Sequence, residues 1–183
     1  KLIAALDARP HFTTFGIADL QGSFLAIETM PTPPDPRRFL KEAAARLKTM
    51  IGGSGGDMAG IGAVMPGRID TATGRLALAP NTGWRDLEVR LPLERATGLP
   101  VTLESAPNAC ALGEIWFGRH AGDGQDLVAV AVSEGCGAGI VMNGQLVMGP
   151  TGMAGEFGHV CMDENGPPCG CGKRGCWEVY ASN

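Results

Sequence analysis

A two-lobed α/β fold is predicted for this chain of 183 residues, and three observations predict it. Short alternating apolar runs with a tight turn between them open the chain, and stretches of helical and strand period then alternate. A break near Asn108 to Gln125 is followed by a new set of strands. The first lobe is therefore placed at residues 1–107 and the start of the second at 108–183.

Leu2 to Leu6, Phe12 to Ala18 and Ser23 to Glu28 read as strands, with Asp19-Leu20-Gln21-Gly22 turning the second into the third. Pro31 to Pro36 is a stiff polar connection. Arg37 to Ile51 sets Phe39, Leu40, Ala43, Ala44, Leu47 and Ile51 at helical spacing; Asp35 can cap its start and Gly52 to Gly56 ends it. Met58 to Met65 reads as a buried strand closed by Pro66-Gly67, and Asp86 to Thr97 as a second amphipathic helix stopped by Gly98-Leu99-Pro100. Val101 to Leu103 is a short strand feeding a third helix from Asn108 to about Phe117. After a loop at Ala121-Gly122-Asp123-Gly124 come strands at Leu127 to Ser133, Ala138 to Met142 and Gln145 to Met148. Asn143-Gly144 between the last two is a strong hairpin signal. A helix is expected to begin near Gly175.

With 44% hydrophobic and 19% charged residues the chain can bury a real core and is not disordered. Its longest apolar run, Leu127 to Val132, is far short of the roughly 20 residues a membrane helix requires, so no membrane role is expected. A net charge of −4 leaves no basic face to grip phosphate backbones; if the protein binds DNA, another segment does so. The chain opens on Lys1 without an initiator methionine and stops at Asn183 part-way through an apparent helix. It is expected to be a fragment, with further segments upstream and downstream.

The densest chemistry lies near the end. His159, Cys169, Cys171 and Cys176 are soft ligands spaced to close on one metal ion, and Gly170, Gly172 and Gly175 let the backbone turn back between them. One imidazole and three thiolates fill a tetrahedron and leave no position for water, which points to a structural zinc ion. A disulfide in a secreted chain is the alternative, but cysteines two apart rarely reach the needed Cα separation and no signal peptide is visible. Cys110, Cys136 and Cys161 read as small buried side chains, although Cys161, two residues beyond His159, is close enough to exchange as a ligand.

Gly155-Glu156-Phe157-Gly158-His159, Cys169-Gly170-Cys171-Gly172-Lys173-Arg174-Gly175-Cys176-Trp177-Glu178 and Glu134-Gly135-Cys136-Gly137-Ala138-Gly139-Ile140 together resemble the ROK family of repressors and sugar kinases. Further matches lie at Pro66 to Asp70, Ala79 to Trp84 and Pro100 to Glu114, so the resemblance covers nearly the whole chain. It implies an actin-like ATPase (ribonuclease H-like) fold, a sugar in the cleft between lobes, a homodimer or homotetramer and a cytoplasmic location. It also implies one of two functions: a hexose kinase, or a transcriptional regulator with an upstream helix-turn-helix.

Kinase chemistry needs a carboxylate to accept the sugar hydroxyl proton and a glycine-rich turn to cradle phosphates. Similar kinases carry the base in an Asn-Asp-Ala-Asn segment; the aligned residues are Ser105-Ala106-Pro107-Asn108, so Ala106 stands at the base position. Their first aspartate precedes a Gly-Gly-Thr turn, whereas Asp7 precedes Ala8-Arg9-Pro10-His11, and proline has no N–H to offer an anion. ATP is accordingly not expected as a cofactor and no catalytic residue is assigned. Gly135, Gly137 and Gly139 remain as phosphate-facing glycines, unless they serve tight packing.

The resemblance assigns sugar recognition to Glu156, His159 and Glu178, with Asn81 and Ser105 adding to it. Its histidine binds zinc through one nitrogen and offers the other to a hydroxyl. Alternatively, both glutamates brace the metal loop, Asn81 belongs to an ordinary turn and Trp84 is a packed aromatic. The expected function is the sugar-sensing effector domain of a ROK-like repressor whose DNA-binding domain lies outside these residues. A glucokinase-like hexose or N-acetylhexosamine kinase, or a sugar-blind scaffold, are the competing expectations.

Overall fold

The computed structural model describes residues 1–118, 126–149 and 152–182, so the expected loop at Ala121 to Gly124 lies outside the described residues. The chain divides into two compact units, Lys1–Ser105 and Ala106–Asn183. The first contains β1 (Leu2–Ala8), β2 (Phe12–Asp19), β3 (Phe24–Pro31), α1 (Pro36–Gly53), β4 (Met58–Met65), β5 (Arg68–Asp70), β6 (Arg75–Ala79), β7 (Trp84–Glu88), α2 (Arg90–Thr97) and β8 (Val101–Ser105). The second contains α3 (Ala106–Phe117), β9 (Leu127–Val132), β10 (Cys136–Met142), β11 (Gln145–Leu146), a single 3-10 turn at Phe157–His159 and α4 (Glu178–Ala181).

In the first unit the five-stranded sheet runs β3-β2-β1-β4-β8. β1, β2 and β3 form an antiparallel meander, while β4 and β8 continue from β1 in parallel. Alternation along β1 sends Ala4, Leu6 and Ala8 into the core, where α1 adds Phe39, Leu40, Ala43, Leu47 and Met50 from one helical stripe. Asp35 caps that helix as expected, accepting from the Arg37 N–H at 2.8 Å. Asp35→Ala is expected to lower unfolding free energy by about 1 kcal/mol in urea titrations.

The sequence reading erred between Pro66 and Glu88. Three short strands occupy most of that stretch, ordered β5-β6-β7, and Asp86 to Glu88, expected in the second helix, belong to β7. The cause is an aspartate-led turn: Asp70 Oδ1 accepts the N–H groups of Ala72 and Thr73, and its carbonyl accepts that of Gly74. Leu76 then pairs with Leu87, and Arg75 ties down Glu88 at 3.2 Å and the Asp86 carbonyl at 2.9 Å. Helix α2 starts only after the buried Val89.

Trp84 is a packed aromatic. It is 2% exposed, its ring centroid lies 4.6 Å from that of Phe39, and its indole N–H donates to the Pro34 carbonyl at 2.8 Å.

The second unit is built on a three-stranded antiparallel sheet, β11-β10-β9, with α3 packed on β9 and β10. The Asn143-Gly144 hairpin turn joins β10 to β11 as expected, with both residues at positive φ. The helix expected near Gly175 begins three residues later and is only four residues long. Among the described residues no helix is long and apolar enough to cross a membrane.

Candidate metal centre and its surroundings

A hairpin of unusual tightness carries the cysteines. The Cys169 N–H donates to the Lys173 carbonyl at 2.8 Å, the Gly172 N–H to the Cys169 carbonyl at 3.0 Å, and the Gly175 N–H to the Pro167 carbonyl at 2.8 Å. The returning strand pairs with the segment after His159: Met162 N–H donates to Gly175 at 2.7 Å and Trp177 N–H to Val160 at 2.9 Å. Two backbone connections thus converge His159, Cys169, Cys171 and Cys176, whose ligand atoms all lie within 4.8 Å of one another.

The individual separations are those of a coordination shell. Cys171 Sγ and Cys176 Sγ are 3.7 Å apart, as are Cys169 Sγ and His159 Nδ1. A tetrahedron built on zinc–sulfur bonds of about 2.3 Å has edges of about 3.8 Å. These two edges match that tetrahedron, and with all four ligand atoms within 4.8 Å of one another the residues can hold a metal ion. Burial raises the Cys169 thiol and pushes Cys176 up to about 12. At Cys171 burial is outweighed by hydrogen bonding to the Lys173 backbone and to the neighbouring thiols, and its thiol is lowered. A metal entering here displaces thiol protons.

Cys161 stays outside this group, exposed, with its sulfur 3.5 Å from the Arg174 carbonyl. Cys136 is buried as expected, whereas Cys110 is exposed.

The loop before the metal hairpin is seated by glycines. A side chain on Gly155 or Gly158 would collide with the carbonyls of Ala138 and Cys136 on β10. That close approach sets Glu156, which leads into the 3-10 turn, one short turn from His159 at its end. Glu156 is exposed, and its Oε2 lies 3.6 Å from His159 Nε2, the nitrogen turned away from Cys169.

Glu178 occupies a different position. Its Oε2 accepts the Cys136 N–H at 3.0 Å and its Oε1 lies 3.9 Å from Cys169 Sγ, so the carboxylate ties the metal loop to the start of β10. The partnership with Cys136 spans 42 positions and escaped the sequence reading.

Glu156, His159 and Glu178 thus share one loop system of the second unit. Asn81 and Ser105 belong to the first: Asn81 is exposed in the turn between β6 and β7, and Ser105 ends β8 with its N–H donating to Glu104 Oε1 at 2.9 Å. Gly137 and Gly139 have a packing reason to be glycine. A side chain on Gly137 would stand 3.0 Å from the Pro107 ring, and one on Gly139 would meet the Pro107 carbonyl and stand 2.8 Å from Ala111 Cβ on α3. Gly135 lies in the turn entering β10, its carbonyl accepting the Ser133 N–H at 2.9 Å. The turn after β1 is closed by its own bonds: Arg9 N–H donates to the Phe12 carbonyl at 3.1 Å, and the Arg9 side chain holds Asp7 at 3.0 Å.

The xylose repressor of Bacillus subtilis is 42% identical over 123 residues, 67% of this chain and 32% of the repressor. A glucokinase of Halalkalibacterium halodurans is 46% identical over 128 residues, 69% of this chain and 38% of the enzyme. The crystal structure of a ROK family glucokinase from Streptomyces griseus, in complex with glucose and AMPPNP, superposes with a TM-score of 0.90 at 32% identity. That superposition covers 100% of this chain and 57% of the glucokinase, and the fold shared is the actin-like α/β fold expected from the sequence. The chain thus spans only about a third of the length of each of the two sequence relatives. A sequence model of the ROK family matches residues 3–183, through both units and the metal loop alike, and on that extent the chain belongs to the ROK family.

Proposed function

We propose that this chain is the sugar-sensing effector part of a ROK transcriptional regulator, built around a structural zinc ion. The observation that carries the reading is Ala106, the first residue of α3 directly after β8. Similar kinases place their catalytic carboxylate there, and a methyl group accepts no proton, a loss of about 10²–10⁴ in rate by itself. The turn after β1 adds to this: Pro10 has no N–H and that of Arg9 is spent on Phe12.

Three thiolates and an imidazole select zinc, and the closed ligand set gives the ion a structural rather than a catalytic role. Glu156, His159 and Glu178, supplemented by Asn81 and Ser105, receive the sugar. DNA is read by a helix-turn-helix outside these residues, in a homodimer or homotetramer. The sugar acts through its differential affinity for two states of that assembly.

Two observations favour a second reading, a hexose kinase. Glu104 lies two residues before Ala106, half-buried, and the glucokinase relative is as similar as the repressor. A coupled ATP-consumption assay over a panel of hexoses separates the two. No turnover is expected, and measurable transfer to any sugar overturns the regulatory reading. Thermal-shift measurements with the same sugars test binding directly, because a ligand at 100 times its Kd adds about 2.7 kcal/mol of stability. Absence of a shift with every sugar leaves only a scaffold.

A further inference from the structure

We propose that Cys161 is a peroxide-reactive modification site that resolves onto the metal ligand Cys176, releasing the ion through a disulfide. The placement of the two residues carries this. Cys161 and Cys176 face each other as an isolated antiparallel pair. The bonds on either side, Met162 N–H to Gly175 at 2.7 Å and Trp177 N–H to Val160 at 2.9 Å, mark them as a non-hydrogen-bonded pair. In such pairs the Cα atoms are about 4.5 Å apart and the side chains leave from the same face. Disulfides span Cα separations of about 4.4–6.8 Å, so this pair is already within bonding range.

The two thiols differ in access. Cys176 is fully buried among the candidate ligands, whereas Cys161 is exposed, its sulfur 3.5 Å from the Arg174 carbonyl. A solvent oxidant therefore meets Cys161 first. Rotation about its Cα–Cβ bond swings the sulfur off that carbonyl toward its cross-strand partner. Cys169 and Cys171, by contrast, lie two apart within one turn, a spacing disulfides rarely bridge.

The chemistry balances with hydrogen peroxide as the oxidant. The Cys161 sulfur attacks one peroxide oxygen and the O–O bond breaks; that oxygen stays as a sulfenic acid and the other leaves as water. The Cys176 sulfur then attacks the Cys161 sulfur, an S–S bond forms, and the hydroxyl departs as a second water. When Cys176 starts as a metal-bound thiolate, the additional proton comes from solvent. The two sulfurs together lose two electrons, peroxide gains them, and the metal is left with His159, Cys169 and Cys171.

The metal-release arm rests on the zinc reading above; the disulfide arm does not. Zinc-loaded chain is titrated with hydrogen peroxide while a colorimetric chelator follows released zinc, and non-reducing peptide mapping by mass spectrometry locates the bonds. A Cys161–Cys176 linked peptide is expected to appear in step with loss of the zinc, and dithiothreitol with added zinc is expected to reverse both. Cys161→Ser is expected to load zinc like the parent, form no linked peptide and keep its zinc under the same dose. A Cys171–Cys176 linkage instead, or zinc loss from C161S as fast as from the parent, overturns the proposal. If the chain takes up no zinc when it is supplied and the linked peptide still forms, the disulfide assignment stands and the zinc reading falls.

Discussion

Cys176→Ser is expected to abolish metal binding and to unfold the second unit's loop region while the first unit stays folded. The asymmetry follows from where the apolar core is. The contiguous core cluster lies wholly between Ala4 and Leu103, whereas among the described residues of the second unit the buried apolar side chains are few, Ala111, Ala138 and Val141 among them, with Cys136 and two of the candidate metal ligands. Residues 155–182 hold little besides short turns and one four-residue helix, too little apolar burial to offset the cost of ordering the chain. The ion supplies the difference: structural zinc contributes about 10–16 kcal/mol of apparent binding energy in zinc-finger peptides. Hydrogen exchange reads the outcome by position. The amides of Met162, Cys169, Gly175 and Trp177, all hydrogen-bonded across the metal loop, are expected to lose protection in the variant or after chelation, while β1 and β4 keep theirs. Uniform loss across both units, or none, contradicts a metal-dependent loop.

Trp84→Ala is expected to cost the first unit about 3–5 kcal/mol, enough to leave it marginal or unfolded. The indole is the largest fully buried side chain and lies against Phe39 of α1 at 4.6 Å, so its removal opens a cavity at the junction of β7 with the helix. It also strands the Pro34 carbonyl, which accepts the indole N–H directly before the α1 cap. Trp84→Phe keeps the aromatic contact and loses mainly that hydrogen bond, so a much smaller loss is expected. Urea unfolding followed by circular dichroism measures both without relying on the deleted fluorophore. Equal losses for the two variants would show that ring packing is not the larger contribution.

Residue patterns with strong local causes were legible in the sequence. Helix α1 could be placed because its apolar stripe and its aspartate cap agree, and β4 because Met58 to Met65 ends on a Pro-Gly turn. The cluster of four candidate metal ligands was legible because their spacing has few other uses. What escaped depends on distant partners. β5 to β7 are short strands that persist through the Asp70 turn and the Leu76 to Leu87 pairing, and Asp86 and Leu87 fit a helical stripe equally well until Arg75 engages Glu88. Nor does local sequence show that Glu178 would be held by an amide 42 positions away, or that Gly139 is glycine because α3 lies on it.

The orientation of the His159 ring fixes the polarity of whatever polar group docks beside it. With Nδ1 turned to Cys169 and given to a metal, the one proton of the neutral imidazole resides on Nε2, which can then only donate. The Glu156 carboxylate 3.6 Å away can only accept. A hydroxyl, with a lone pair and a proton on one atom, satisfies both at once, which an ether, a carbonyl or a fluorine substituent does not. If the proposed sugar docks here, fluorine in place of the hydroxyl that meets this loop is expected to lower affinity, which marks that position of the pyranose.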